Sequence, residues 1–66
     1  MAILFIKYRD RANEVQIEGT LSELKVHLKG LDETVVEYVL LEDVDGTTGD
    51  DIESLITYCE FWETIE

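Results

Sequence analysis

The first half of the chain alternates apolar and polar positions in two short segments. Residues 2–9 (AILFIKYR) are rich in β-branched and aromatic side chains, and both faces of this segment begin apolar, as expected of an inner strand. Residues 10–13 are polar, and residues 14–18 then place Val15 and Ile17 on one face with acidic or amide side chains on the other. The pattern predicts a β-hairpin.

A helix follows directly. Thr20 and Glu23 have the spacing of a capping box, in which the Thr hydroxyl accepts a backbone N–H and the Glu carboxylate reaches back. Leucines recur at helical spacing from this point, and Gly30 is a plausible end of the helix. The leucines that would cover the sheet are Leu21, Leu24, Leu28 and Leu31.

The second half of the pattern predicts one more strand and one more helix. Residues 35–42 (VVEYVLLE) are apolar on both faces, which is typical of a central strand, and residues 43–49 are predicted as a loop. Asp50 is placed to cap the second helix, with Glu53 at the third helical position for the reciprocal bond.

The segment after Ile52 is open to two interpretations. As a strand, residues 58–65 alternate poorly; as a helix, they continue a polar stripe, and neither Gly nor Pro interrupts it. We therefore predict a helix with a wide apolar arc, part of which should face another copy or a partner. The polar stripe consists of Glu53, Thr57, Glu60 and Thr64.

These elements predict an α+β fold of order β-β-α-β-α, in which two helices cover a three-stranded sheet. The alternative is a ubiquitin-like β-grasp with a fourth strand at residues 58–65. We find no internal repeat, and 66 residues are enough for a single domain spanning 1–66. A content of 45% hydrophobic residues argues against a disordered acidic tail.

Charge is distributed unevenly along the chain. The net charge is −11, all five cations precede residue 32, and residues 32–66 hold twelve acids without a Lys, Arg or His. Such a surface repels nucleic acid and anionic membranes and attracts basic surfaces, so we expect no direct binding to nucleic acid or membrane. With one cysteine, no apparent leader and no long apolar run, we expect a cytoplasmic protein, in the host cell if phage-encoded.

The segment D-V-D-G-T at 43–47 follows a strand and resembles the first motif of haloacid-dehalogenase-type phosphatases. The resemblance implies a nucleophile at Asp43 and a general acid at Asp45. Those enzymes also need a downstream lysine and a large parallel sheet, whereas no lysine follows Lys29. An EF-hand loop starting at Asp43 would need Gly and Glu where Thr48 and Ser54 stand. We therefore expect no enzyme activity, metal or other cofactor.

Two further residues are interpreted as structural rather than catalytic. His27 lies in the middle of the predicted helix and is expected at its boundary or surface, and Cys59 is expected in the core.

The acidic half could imitate a phosphate track, because carboxylates along a strand or on successive helical turns roughly match the spacing of phosphates. The fold would then present acids from Glu42 to Glu63 to a basic protein that handles nucleic acid, such as a nuclease, and block it. Compact phage or mobile-element inhibitors of defence enzymes resemble this design. The contact charges predicted are Asp43, Asp45, Asp50, Asp51, Glu53 and Glu60. Phe61 and Trp62 are predicted as apolar anchors for the partner or for a homodimer.

An alternative function starts from charge polarity. Lys7, Arg9 and Arg11 form a basic end, and the loop after residue 42 forms an acidic one. Three segments carry a resemblance to CIDE-N and PB1 modules: residues 8–11 (YRDR), 20–24 (TLSEL) and 41–47 (LEDVDGT). Those modules are β-grasp domains that associate basic face to acidic face, so the resemblance implies head-to-tail assembly.

Overall fold

The computed structural model describes residues 1–44, 46–49 and 51–63, except for the side chain of Glu63. Four strands and two helices alternate as two β-β-α units in this part of the chain. The elements are β1 (Ala2–Tyr8), β2 (Val15–Gly19), α1 (Leu21–Lys29), β3 (Val36–Asp43), β4 (Gly46–Thr48) and α2 (Ile52–Glu63).

The strands form one antiparallel sheet in the order β2-β1-β3-β4, so β1 and β3 are the inner strands, as predicted. Both helices cover the same face of this sheet, because the inward residues of β1 and β3 share one core with residues of α1 and α2. The core consists of Ala2, Leu4, Ile6, Leu21, Leu24, Leu28, Val36, Val39, Leu41, Ile52, Leu55 and Cys59.

The α1 prediction is confirmed in its start, its buried face and its end. The Thr20 hydroxyl accepts from the backbone N–H of Glu23 at 3.3 Å, and the Glu23 carboxylate accepts from the backbone N–H of Thr20 at 3.4 Å. Gly30 is the C-cap, and Leu31 packs half-buried just beyond it. His27 is exposed and Cys59 fully buried, as expected.

The prediction of three strands is wrong, because part of the segment assigned to a loop forms β4. Gly46–Thr48 pairs with the end of β3, with Asp43 opposite Gly46 and Leu41 opposite Thr48. Gly46 has a φ of 128°, a conformation that glycine adopts easily and other residues do not. The tight turn therefore depends on this glycine.

The helical interpretation of the last segment is confirmed as far as Glu63, the last residue that the structure describes. The β-grasp alternative is wrong over residues 58–63, which are helical, while residues 64 and 65 lie outside the described part. The fourth strand lies at Gly46–Thr48 instead, and the sheet is antiparallel throughout. A polar stripe without Gly or Pro, starting from a capped turn, favours this helix over a strand.

Although the sequence has no visible repeat, the two β-β-α units are arranged alike. In each unit the first, fourth and eighth helical residues are buried. The inner strands place Leu4 directly opposite Leu41, and each of these leucines pairs outward with its own hairpin partner. The two halves therefore share the same order of elements and the same positions of inner and outer strand in the sheet.

A β-bulge interrupts the regular pairing of β3. Lys7 pairs with Tyr38 and Tyr8 with Val36, which leaves Glu37 as the extra residue. The bulge explains why Val36 and Val39 both face the core while Glu37 and Tyr38 between them are exposed. Within the described residues, no helix is long and apolar enough to cross a membrane.

Candidate acidic binding surface

The carboxylate of Asp51 caps α2. The backbone N–H of Ser54 donates to Asp51 Oδ1 at 2.8 Å, and the N–H of Leu55 donates to the Asp51 carbonyl at 3.2 Å. The backbone hydrogen bond from Ser54 lowers the pKa of Asp51, and the side chain of Ser54 adds to this effect. The cap predicted at Asp50 is therefore one residue too early, because the helix starts at Ile52 and Asp51 precedes it. Asp50 itself lies outside the described residues.

Asp43 is held by the fold rather than presented to solvent. Its Oδ1 accepts from the backbone N–H of Val44 at 2.7 Å, and its Oδ2 accepts from the hydroxyl of Tyr58 at 3.2 Å. The side chain is half-buried and links the end of β3 to α2. Among the contact charges predicted from the sequence, Asp43 therefore has a structural role, as Asp51 does. Asp45 lies outside the described residues.

Glu53 and Glu60 are exposed on α2. They are seven residues apart, or about 10 Å along a helix axis, and fall on the same polar stripe. The hydroxyl of Thr57 between them donates to the Glu53 carbonyl at 3.1 Å. Glu60 Oε1 lies 4.0 Å from Lys29 Nζ on α1, and both side chains remain more than half exposed. Exposed ion pairs of this kind contribute little to stability. Glu53 and Glu60 can therefore both contact a partner.

The two predicted apolar anchors differ in exposure. The Phe61 side chain is 61% exposed, whereas Trp62 is half-buried and packs against the core. Their rings meet edge to face at 5.2 Å, and the Trp62 ring lies 6.1 Å from that of Tyr58. Phe61 is thus the residue that α2 offers outward, and Trp62 supports it.

The phosphate track inferred from the sequence does not lie on one face. Glu42 is opposite Ile3 in the sheet and points away from the helices, because its neighbour Leu41 belongs to the core. Glu53 and Glu60 lie beyond the opposite face of the sheet. We define the α2 surface as Asp51, Glu53, Glu60, Phe61 and Trp62.

Sequence reasoning missed a second group of acids beside the start of α2. An open cleft of about 310 Å³ lies between the first half of β3 and the start of α2. Glu33 and Glu37 had no motif to mark them, since the fold alone brings them near Asp51. The cleft is lined by Glu33, Val36, Glu37, Tyr38, Val39, Asp51 and Ile52.

Two of the cleft side chains have partners outside it. Lys7 Nζ lies 3.2 Å from Glu37 Oε2. The Tyr38 hydroxyl donates to Glu14 Oε2 at 2.5 Å, and this hydrogen bond raises the pKa of Tyr38. These contacts fix the two exposed side chains at the bulge, Glu37 and Tyr38.

The phosphatase-like motif has a different setting here from the one that the resemblance implies. Asp43 ends an antiparallel strand and is bonded to Tyr58, and Val44 after it lies in a turn. Among the described residues, no group of three or more His, Cys, Asp or Glu side chains is placed to hold a metal ion.

No protein-family model matches the chain, and neither the curated proteins nor the solved structures contain a significant match.

Proposed function

We propose that this is a non-catalytic acidic protein that binds a basic, nucleic-acid-binding protein surface and blocks it. The observation that carries the proposal is the placement of charge: the described part of the chain buries no charged side chain, and its acids stand at the surface of an apolar core. With a net charge of −11, this surface attracts cationic partners at long range.

The α2 surface is the contact region that we propose. Glu53 and Glu60 supply charges about two turns apart on one helix, and Phe61 supplies an exposed aromatic group beside Glu60. Charges at an interface accelerate association and select the partner, while a buried aromatic anchor supplies much of the affinity. The proposed biological setting is that of a phage-type inhibitor that disarms a defence nuclease.

The test is competition with DNA. A labelled DNA duplex is bound to each member of a panel of nucleases with basic clefts, and displacement of the duplex by this protein is measured by anisotropy. We expect displacement from at least one member and weaker displacement as salt rises, because charge-driven association is screened.

Two double variants sharpen the test. Glu53→Gln with Glu60→Gln should weaken displacement by about tenfold or more, since it removes two contact charges. Asp10→Asn with Glu18→Gln removes the same charge elsewhere and should retain nearly full displacement. Equal displacement by both variants would show that net charge alone acts and would refute the α2 surface. Displacement from no panel member would count against the proposed function.

A second candidate is head-to-tail self-assembly, favoured by one observation. Because β1 and β3 are antiparallel, the basic residues after β1 lie at one end of the sheet and Asp43 at the other. Lys7 and Arg11 are partly engaged there, through the Lys7–Glu37 ion pair and through Arg11 over the Tyr8 ring at 5.4 Å. In the competition assay, Arg9→Glu with Arg11→Glu should leave displacement intact, whereas light scattering should show loss of any concentration-dependent assembly.

A further inference from the structure

One edge of β3 is only partly covered. On the side facing β4, three residues of β3 have strand partners, from Leu41 to Asp43. After β4, Gly49 packs against the side chain of Leu40. Among the described residues, none pairs as a strand with Val36–Val39 on this side. The backbone of another molecule can therefore approach this part of the edge.

The cleft lies along this same open stretch. Its apolar part consists of Val36, Val39 and Ile52, all of which belong to the core. A volume of about 310 Å³ with an apolar base has room for one long side chain rather than for a folded element.

The polar part of the cleft is acidic. Glu33, Glu37 and Asp51 line it, and Lys7 offsets one of these three charges through its contact with Glu37. Asp51 also compensates the positive end of α2, and its lowered pKa keeps it ionised. The electrostatic field of the remaining carboxylates favours a cation. Because the base of the cleft is apolar and its sides are acidic, a cation with an apolar stem fits it.

We propose that the cleft binds an arginine side chain carried by an exposed segment of the basic partner. The stem would lie on Val36, Val39 and Ile52, and the planar guanidinium would reach the carboxylates of Glu33 and Asp51. Arginine fits better than lysine because its forked donors can bond the carboxylates of Glu33 and Asp51 at once. This inference rests on the proposed function, since both take the partner to be basic.

A second copy of the chain would bind at the cleft less well than a basic partner. Two copies that met at this edge would bring two acidic clefts together in a protein whose net charge is already −11. Like charges opposed at an interface are costly, so charge complementarity selects a basic partner.

The experiment is an NMR titration of the ¹⁵N-labelled protein with the capped tripeptide acetyl-Thr-Arg-Thr-amide. The control peptide carries citrulline, which keeps the shape of arginine without its charge. We expect saturable shifts centred on the amides of Val36–Val39 and Ile52 with the arginine peptide, and at least about tenfold weaker binding with the citrulline peptide.

Variants locate the site. Glu33→Gln with Asp51→Asn should weaken binding by about tenfold or more while keeping the helix cap, because Asn caps a helix as well as Asp does. Asp10→Asn with Glu18→Gln is the matched control and should bind normally. If the cleft variant loses its dispersed spectrum, Glu33→Gln alone is titrated instead.

The proposal is overturned by equal binding of the two peptides, by shifts centred elsewhere, or by unchanged binding to the cleft variant. It is also overturned if dilution of the protein alone moves the same amides, since a second copy would then occupy the cleft. Failure of the titration with intact competition against DNA removes only the cleft proposal. A positive titration with no displacement of DNA from any nuclease instead removes the proposed function.

Discussion

At the scale of single residues, Asp51 does two things with one carboxylate. It accepts the backbone N–H of Ser54 and so begins α2, and it forms part of the acidic lining of the cleft. The first task fixes its orientation and keeps its pKa below the ordinary value of 3.8. The cleft is therefore lined by a charge that the helix cap already holds in place.

The cap predicts a specific response to acid. Because the pKa of Asp51 is lowered on folding, its contribution to stability is present above its unfolded value and is lost as pH falls through the lower folded value. Asp51→Asn keeps the cap without a titrating group. We expect the wild type to lose stability relative to this variant only below about pH 4.

Urea unfolding of both proteins from pH 6 to pH 2.5 measures this difference. Asp32, whose pKa is lowered by its hydrogen bonds from Thr34, titrates in both proteins and cancels in the comparison. A difference that stays constant with pH would contradict the capping role.

Local signals at this scale were partly readable from the sequence. The reciprocal pair Thr20 and Glu23 identified the first cap because its members lie three residues apart at the start of a leucine stripe. Asp50 and Asp51 have the same chemistry, and only the helix start at Ile52 distinguishes them. The bond between Tyr58 and Asp43 joins distant residues, so no local pattern could indicate it.

At the scale of elements, β4 and the bulge in β3 explain what the pattern failed to predict. Three residues, Gly46 to Thr48, are too few to show alternation, and their pairing is supplied by β3. The bulge at Glu37 shifts which residues face the core, and it depends on the partner strand β1. The cleft was therefore invisible in the sequence, because it is formed where β4 stops and the bulge begins.

The turn into β4 gives a prediction at this scale. Gly46→Ala should lower the free energy of unfolding by about 1–3 kcal/mol, because a φ of 128° is strained for any residue with a Cβ. Gly30→Ala is the matched control: its φ is −89° and its added Cβ would meet only ordinary contacts, so it should be neutral or slightly stabilising.

Urea denaturation of the two variants beside the wild type measures both effects. Equal effects at the two glycines would mean that the turn tolerates a side chain and that the conformation of Gly46 is not needed for β4.

At the scale of the whole molecule, the surplus of acids acts against the fold that carries it. Two ion pairs, Lys7 with Glu37 and Lys29 with Glu60, lie at the surface of the described residues and contribute little. Repulsion among the carboxylates of a chain with a net charge of −11 should exceed that gain. Under the proposed function, part of the stability is given up for an acidic surface.

We therefore expect salt to stabilise the protein. Raising NaCl from about 0.01 M to about 1 M shortens the Debye length from about 30 Å to about 3 Å, which screens the repulsion. The urea midpoint should rise, and it should rise less for Glu18→Gln with Glu53→Gln, which carries two charges fewer. A midpoint that falls with salt would mean that the ion pairs outweigh the repulsion.

The likeness of the two β-β-α units has a consequence for how the chain folds. Each hairpin and its helix connect neighbours in sequence, whereas the central ladder joins Ile3 to Glu42 and closes most of the chain into a loop. The entropy of that closure is lost before the shared core forms, so the slow step should be the meeting of two preformed halves. The first half and the second half, made as separate peptides, would then be expected to recombine with second-order kinetics into the same sheet.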